Sequence, residues 1–163
     1  MIADWDIPAT TSASSGGSAQ VMAVVPLPGE LGGAGEILVM SAFGNVKLPA
    51  GEIQPRETSL RAVARVVLGS TGVRVTPERL VYVVEQPGKP LALCILCALV
   101  ADDDADTKPS VRFAAIGAID GEFEPSPLRE LLIEDIRAGF VRGVAHIAVS
   151  FDSDGREQSS VTW

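Results

Sequence analysis

Histidine is almost absent: the chain has one, His146. Cysteine is nearly as scarce, with only Cys94 and Cys97. A zinc centre built from His and Cys needs several such side chains, so this supply excludes the common structural zinc sites. Two cysteines in 163 residues do not suggest a disulfide scaffold either. Positive charge is in deficit, with 13 Lys and Arg against 21 Asp and Glu and a net charge of −8. That balance disfavours a nucleic-acid backbone or an anionic membrane as partner, because both reward Lys and Arg. The longest apolar run, Leu91 to Ala101, is too short to span a bilayer. No charged-then-apolar leader opens the chain, so a cytoplasmic location is expected. No internal repeat and no second domain are visible.

What is present is a rich apolar supply. Nearly half the residues are apolar, enough for one domain with a real core. Residues 1–20 stand apart. They hold Ser, Thr, Gly and Ala, and read as a flexible tail ahead of a single domain over 21–163. Val21 to Leu27 and Glu36 to Ala42 read as two strands of a hairpin. The cluster Gly32-Gly33-Ala34-Gly35 between them lacks the Lys and the following helix that a phosphate loop needs, so it reads as a plain connection.

The stretch Lys47 to Val73 organises the rest. Leu48-Pro49-Ala50-Gly51 predicts a turn. A helix follows, with Leu60, Val63, Ala64, Val67 and Leu68 as its apolar stripe. Thr58 and Ser59 lie near its start, Glu57 sets a negative charge at its positive end, and Gly69 and Gly72 fit its termination. Gly51 is followed by five residues and Glu57, then seven and Arg65, then six and Gly72 with apolar Val73.

That spacing resembles the signature of the Nudix hydrolases, which reads Gly, five residues, Glu, seven residues, Arg-Glu, apolar, any, Glu-Glu, any, Gly, apolar. Leu48-Pro49-Ala50-Gly51 is similar to the family's Leu-Pro-Gly-Gly lead-in. The resemblance covers Val21 to about Gly143. It implies an α+β fold, an α/β/α sandwich with a mixed sheet between helices. It also implies hydrolysis of nucleoside diphosphate derivatives with magnesium or manganese ions held by glutamates of the motif helix. Here those three glutamate positions carry Val66, Gly69 and Ser70. The expectation is therefore a Nudix-type frame without most of its metal ligands: a non-catalytic module for a nucleotide-like ligand or a protein partner, without a metal cofactor. Gly51, Glu52 and Arg65 are the candidate ligand-binding residues. Glu57 is the candidate catalytic residue and the one remaining candidate for Mg2+ or Mn2+. Arg65 is placed either to pair with Glu57 or to cap helix carbonyls. The competing expectation is a metal-dependent hydrolase that uses relocated acids: Glu52, Glu57, Glu122 or Glu124.

The remaining chain supplies the other layers. Arg74 to Pro77 is a link with some strand character. Leu80 to Gln86 and Leu91 to Val100 predict a hairpin around Pro87-Gly88-Lys89-Pro90. Cys94 and Cys97 sit three apart in the second strand, hence on opposite faces, as two small buried hydrophobes. Ala101 to Lys108 is an acidic loop, more simply solvated than cation-binding. Val111 to Ile119 predicts a strand, and Asp120 to Pro125 a loop carrying Glu122 and Glu124. Ser126 as cap and Pro127 at the first turn start a second helix. Its stripe is Leu128, Leu131, Leu132, Ile136 and Phe140, with Glu130, Glu134, Asp135 and Arg137 turned outward or paired along the helix. Ala145 to Phe151 and Gln158 to Trp163 predict a terminal hairpin around Asp152 to Gly155, and this hairpin or the central strands are candidate surfaces for a homodimer. Abundant Ala, Gly and Val with few Lys fit a bacterial chain from a GC-rich genome.

Overall fold

The apolar residues of the N-terminal run enter the core as β1 (Gln20–Val24), where Val21, Ala23 and Val24 are fully buried. The structure is a computed structural model that describes residues 18–27, 35–100, 110–118 and 122–163. The readings of residues 1–17, of Gly32 to Ala34, of the acidic segment 101–108 and of Asp120 fall outside the described residues.

β2 (Glu36–Ala42) turns through Phe43 and Gly44, both at positive φ, into β3 (Asn45–Lys47). This tight turn needs left-handed backbone at both positions, which Gly44 supplies without strain. β4 (Ala50–Glu52) leads to α1 (Ser59–Thr71). β5 (Val75–Glu85) and β6 (Ala92–Leu99) form the long antiparallel hairpin that the turn residues anticipated. β7 (Val111–Ala115) runs into a short 3-10 turn, Ile116–Ala118. β8 (Glu122–Glu124) precedes α2 (Ser126–Ala138), and β9 (Ala145–Phe151) with β10 (Glu157–Thr162) closes the chain as a hairpin.

The strands form two sheets. The first has the order β10-β9-β5-β6-β1-β4, the second β7-β2-β3-β8. Both are mixed: β1–β6, β5–β9 and β3–β8 are parallel, the remaining pairs antiparallel. The centre of the first sheet is buried on both faces. Ala92, Cys94 and Leu96 of β6 join one core with Leu128 and Leu132 of α2, while Ile95 and Cys97 join the other with Val63, Val66 and Val67 of α1. This is the expected α+β sandwich, and the two cysteines do point to opposite faces. No helix among the described residues is long and apolar enough to cross a membrane.

Several expectations are corrected. The strands around 21–27 and 36–42 do not pair as a full hairpin. They separate into different sheets and meet only near Pro26 and Ile37, where Leu38 N donates to Val25 O and Leu27 N to Glu36 O. Both β1 edges are already taken, by β4 and β6. Part of the 120–125 loop is strand, because Glu122–Glu124 pairs in parallel with β3. Ser126 is not the cap of α2. Pro125 holds that position, and the Ser126 hydroxyl bonds Glu157 at 2.5 Å instead. Asp135 is not outward but buried, where it accepts from Tyr82 Oη at 2.5 Å and from Arg142 Nε at 2.7 Å. Phe140 lies past the helix end yet stays buried.

Candidate functional site

The site grows from the β4–α1 junction. Thr58 caps α1, its hydroxyl accepting from Arg61 N at 3.3 Å, and Gly72 closes it at φ 78, donating to Leu68 O. Gly69 lies inside the helix rather than at its end. The buried face is Ala62, Val63, Val66, Val67 and Thr71, so the stripe is turned by roughly one residue step from the expected one. Leu60 and Leu68 are left 45% exposed. The cause is Gly51. A Cβ added there would lie 2.7 Å from Val66 Cγ2, so the missing side chain lets β4 close onto the Val66 flank of the helix.

Arg65 joins the loop to the helix. Its Nε donates to Glu57 Oε1 at 2.7 Å and Nη2 to Glu57 Oε2 at 2.9 Å, a bidentate pair. The same Nη2 donates to the Glu52 carbonyl at 2.8 Å, and Gln54 N donates to Glu57 Oε2 at 3.0 Å. Of the two roles open to Arg65, the structure therefore shows the pairing with Glu57. The guanidinium first, then the Gln54 N–H, holds the Glu57 carboxyl down at about 2 from its usual 4.5. Gly51, Glu52, Glu57 and Arg65 are thus brought together, but as a brace of the loop.

These residues do not fit a divalent metal centre on α1. Val66 offers buried methyls at one expected ligand position. Gly69 offers no side chain, although one added there would meet nothing within 4 Å. Ser70 turns its hydroxyl back to Val66 O at 2.6 Å. Both Glu57 oxygens are engaged, and a cation there would sit against the Arg65 guanidinium. Among the described residues no group of three or more His, Cys, Asp or Glu is arranged to hold an ion.

Two adjoining hollows open beside the same loop. One of about 240 Å³ is lined by Gln20, Met22, Lys47, Leu48, Ala50 and Lys89 among others. The next, of about 460 Å³, shares Gln86, Lys89, Glu124 and Pro125 with it and adds Glu122, Ser126, Arg129 and Glu157. Lys47, Lys89 and Arg129 thus face a groove that also carries Glu122, Glu124 and Glu157. Glu52, Glu57 and Arg65 line neither hollow. Gln86, Lys89, Arg129 and Glu157 were not singled out from sequence. They come from the β5–β6 turn, α2 and β10, and no spacing along the chain links them. A larger apolar hollow of about 640 Å³, with Ile116, Ile133 and Ile136, lies elsewhere on α2.

Comparison with solved structures decides the fold. The Nudix hydrolase from Nitrosomonas europaea superposes with a TM-score of 0.61 at 20% identity, over 79% of this chain and 76% of that one. The chain adopts the Nudix fold. A UDP-X diphosphatase gives 0.60 at 17% identity, over 83% and 69% of the two chains. An ADP-ribose pyrophosphatase from Streptococcus suis gives 0.60 at 16%, over 78% and 96%. No protein-family model and no curated protein matches the chain. Among the described residues the Nudix frame is therefore intact in shape and altered in its donor set.

Proposed function

We propose that this Nudix-fold chain is a non-catalytic binding module for a nucleotide-like ligand. The observation that carries the proposal is the donor set of α1. Val66 is wedged against Gly51, Gly69 and Ser70 replace carboxylates, and Glu57 is committed to Arg65. Magnesium favours hard oxygen ligands in near-octahedral geometry, and this face offers too few. The groove with Lys47, Lys89 and Arg129 supplies cationic donors for phosphate oxygens, while Met22 and Pro90 supply apolar surface for a ring. Structural likeness to a UDP-X diphosphatase and an ADP-ribose pyrophosphatase supports the choice of ligand class. The module acts in the cytoplasm on this reading.

A thermal-shift panel of nucleoside diphosphates and their sugar conjugates, run with magnesium and with EDTA, tests it. A ligand that raises the melting temperature equally in both buffers supports the proposal, and a Lys89→Ala variant abolishes that shift. A panel without any shift moves the reading to a protein partner.

One observation favours a second reading. Glu122, Glu124 and Glu157 line the same groove as Lys89 and Arg129. A hydrolase with relocated acids would have to draw these together around Mg2+ or Mn2+, since they are not gathered for an ion among the described residues. Metal-dependent phosphate release from nucleoside diphosphate derivatives would establish it and end the first reading. Loss of turnover in Glu124→Gln but not in Glu57→Gln would assign the chemistry to the groove.

A further inference from the structure

All six residues of β10 are exposed, and among the described residues its backbone pairs with β9 alone. An edge strand of this kind is a template for another chain unless something blunts it. β10, Glu-Gln-Ser-Ser-Val-Thr, contains no Pro and no Lys, and from Glu157 to Thr162 its register against β9 is regular. The opposite edge of the same sheet is protected: β4 has three residues and packs against α1.

The hairpin geometry shows which backbone groups of β10 point outward. Asp152 N donates to Arg156 O at 3.0 Å and Gly155 N to Asp152 O at 3.0 Å, so Gly155 and Arg156 together take the hydrogen-bonded place opposite Asp152, as in a bulge with a left-handed Gly. Such pairs alternate along an antiparallel ladder. With Phe151 opposite Glu157 and Val149 opposite Ser159, the bonds to β9 fall at Gln158, Ser160 and Thr162. Glu157, Ser159 and Val161 therefore turn their N–H and C=O groups away from the sheet.

We propose that β10 pairs with β10 of a second copy of this chain, antiparallel and centred on Ser159. In that register all three outward residues form hydrogen-bonded pairs. Ser159 meets its own counterpart, and Glu157 meets Val161 of the partner subunit, so no like charges oppose. Centring on Glu157 instead would set two carboxylates face to face, at a cost. Val161 is 39% and Phe151 is 55% exposed on one face of the hairpin, and the pairing sets the Glu157 side chain between Phe151 and Val161 of the partner subunit, where its methylenes can cover the valine. Pairing of one short strand buries less than the ~1,200 Å² of a standard interface, so the dimer is weak and reversible. Glu157 also lines the groove, so the interface runs along its rim. The dimer does not depend on what the groove binds.

Sedimentation velocity from micromolar to submillimolar concentration tests this. A reversible shift from monomer to dimer is expected. Ser159→Cys should form a disulfide-linked dimer under mild oxidation, because facing Cα atoms of a hydrogen-bonded pair lie at disulfide range. Gln158→Cys, which would face Ser160 of the partner subunit, should stay uncrosslinked. Cys94 and Cys97 are buried and do not compete. Ser159→Pro removes one outward N–H and should abolish the dimer while keeping the monomer's melting temperature, since an edge tolerates Pro there. A monomer at every concentration overturns the proposal. So does a dimer that survives Ser159→Pro, or equal crosslinking of the two Cys variants.

Discussion

Val66 and Glu57 carry the residue-scale consequences. Val66 is β-branched and in a helix, so its χ1 is nearly fixed and its methyl cannot swing away from Gly51. Gly51→Ala should therefore destabilise the fold by about 1–3 kcal/mol, the usual range for overpacking. The loss should shrink in a Val66→Ala background. Urea melts of the two single variants and the double variant measure that coupling, and additive losses would mean that the contact is not the cause. Glu57 gives a pH signature. Its carboxyl is lowered in the folded state, so the stabilisation is full above the ordinary value of 4.5 and is lost as pH falls toward 2. The melting temperature of the wild type should drop more steeply across that window than that of Glu57→Gln. Added salt should narrow the difference, because Arg65 is 42% exposed. Parallel curves for the two proteins would show that the pair does not brace the loop.

At the scale of elements, α2 is held by a buried polar cluster as well as by its leucines. Asp135 receives Tyr82 Oη from β5 and Arg142 Nε from the segment after the helix, and Arg142 lies 4.1 Å from the Trp163 ring centroid. Arg79 adds a bond to the Phe140 carbonyl. Burial first, then the bond to Asp135, raises the Tyr82 hydroxyl far above its usual range, so it stays a donor. Tyr82→Phe removes one bond to a buried carboxylate and should cost about 1.5–3 kcal/mol in chemical denaturation. A cost within error of zero would mean that Arg142 alone satisfies Asp135. For α1, Thr58→Ala should lower stability by about 1 kcal/mol through loss of the cap. The Glu57–Arg65 pair should persist in that variant, as its low-pH melting slope would report.

For the whole molecule, the two cores share one sheet. Cys94 reports on the α2 side and Cys97 on the α1 side. Burial pushes both thiols up to about 12, with the Glu78 charge adding to Cys97. If the layers open together, single-cysteine variants Cys94→Ser and Cys97→Ser should react with a thiol reagent at the same rate in mild denaturant. Unequal rates would identify the layer that opens first.

The chain order alone determined a good deal. Spacing from Gly51 to Val73 specified loop, helix and the missing carboxylates. Turn residues specified both antiparallel hairpins, β5–β6 and β9–β10. Residues three apart on a strand specified opposite faces for the cysteines. These are local properties, set by backbone periodicity and turn chemistry. Three-dimensional packing decided the rest. Apolar periodicity along α1 fits several rotations, and the missing side chain at Gly51 leaves room for the one that buries Val66. An acidic residue on a helix reads as solvated until a tyrosine from another strand and an arginine beyond the helix end meet it, as at Asp135. The groove, too, is assembled from β3, the β5–β6 turn, β8, α2 and β10. Its Lys89, Arg129 and Glu157 become neighbours only when those elements close over the sheet, because long-range proximity leaves no mark in local spacing.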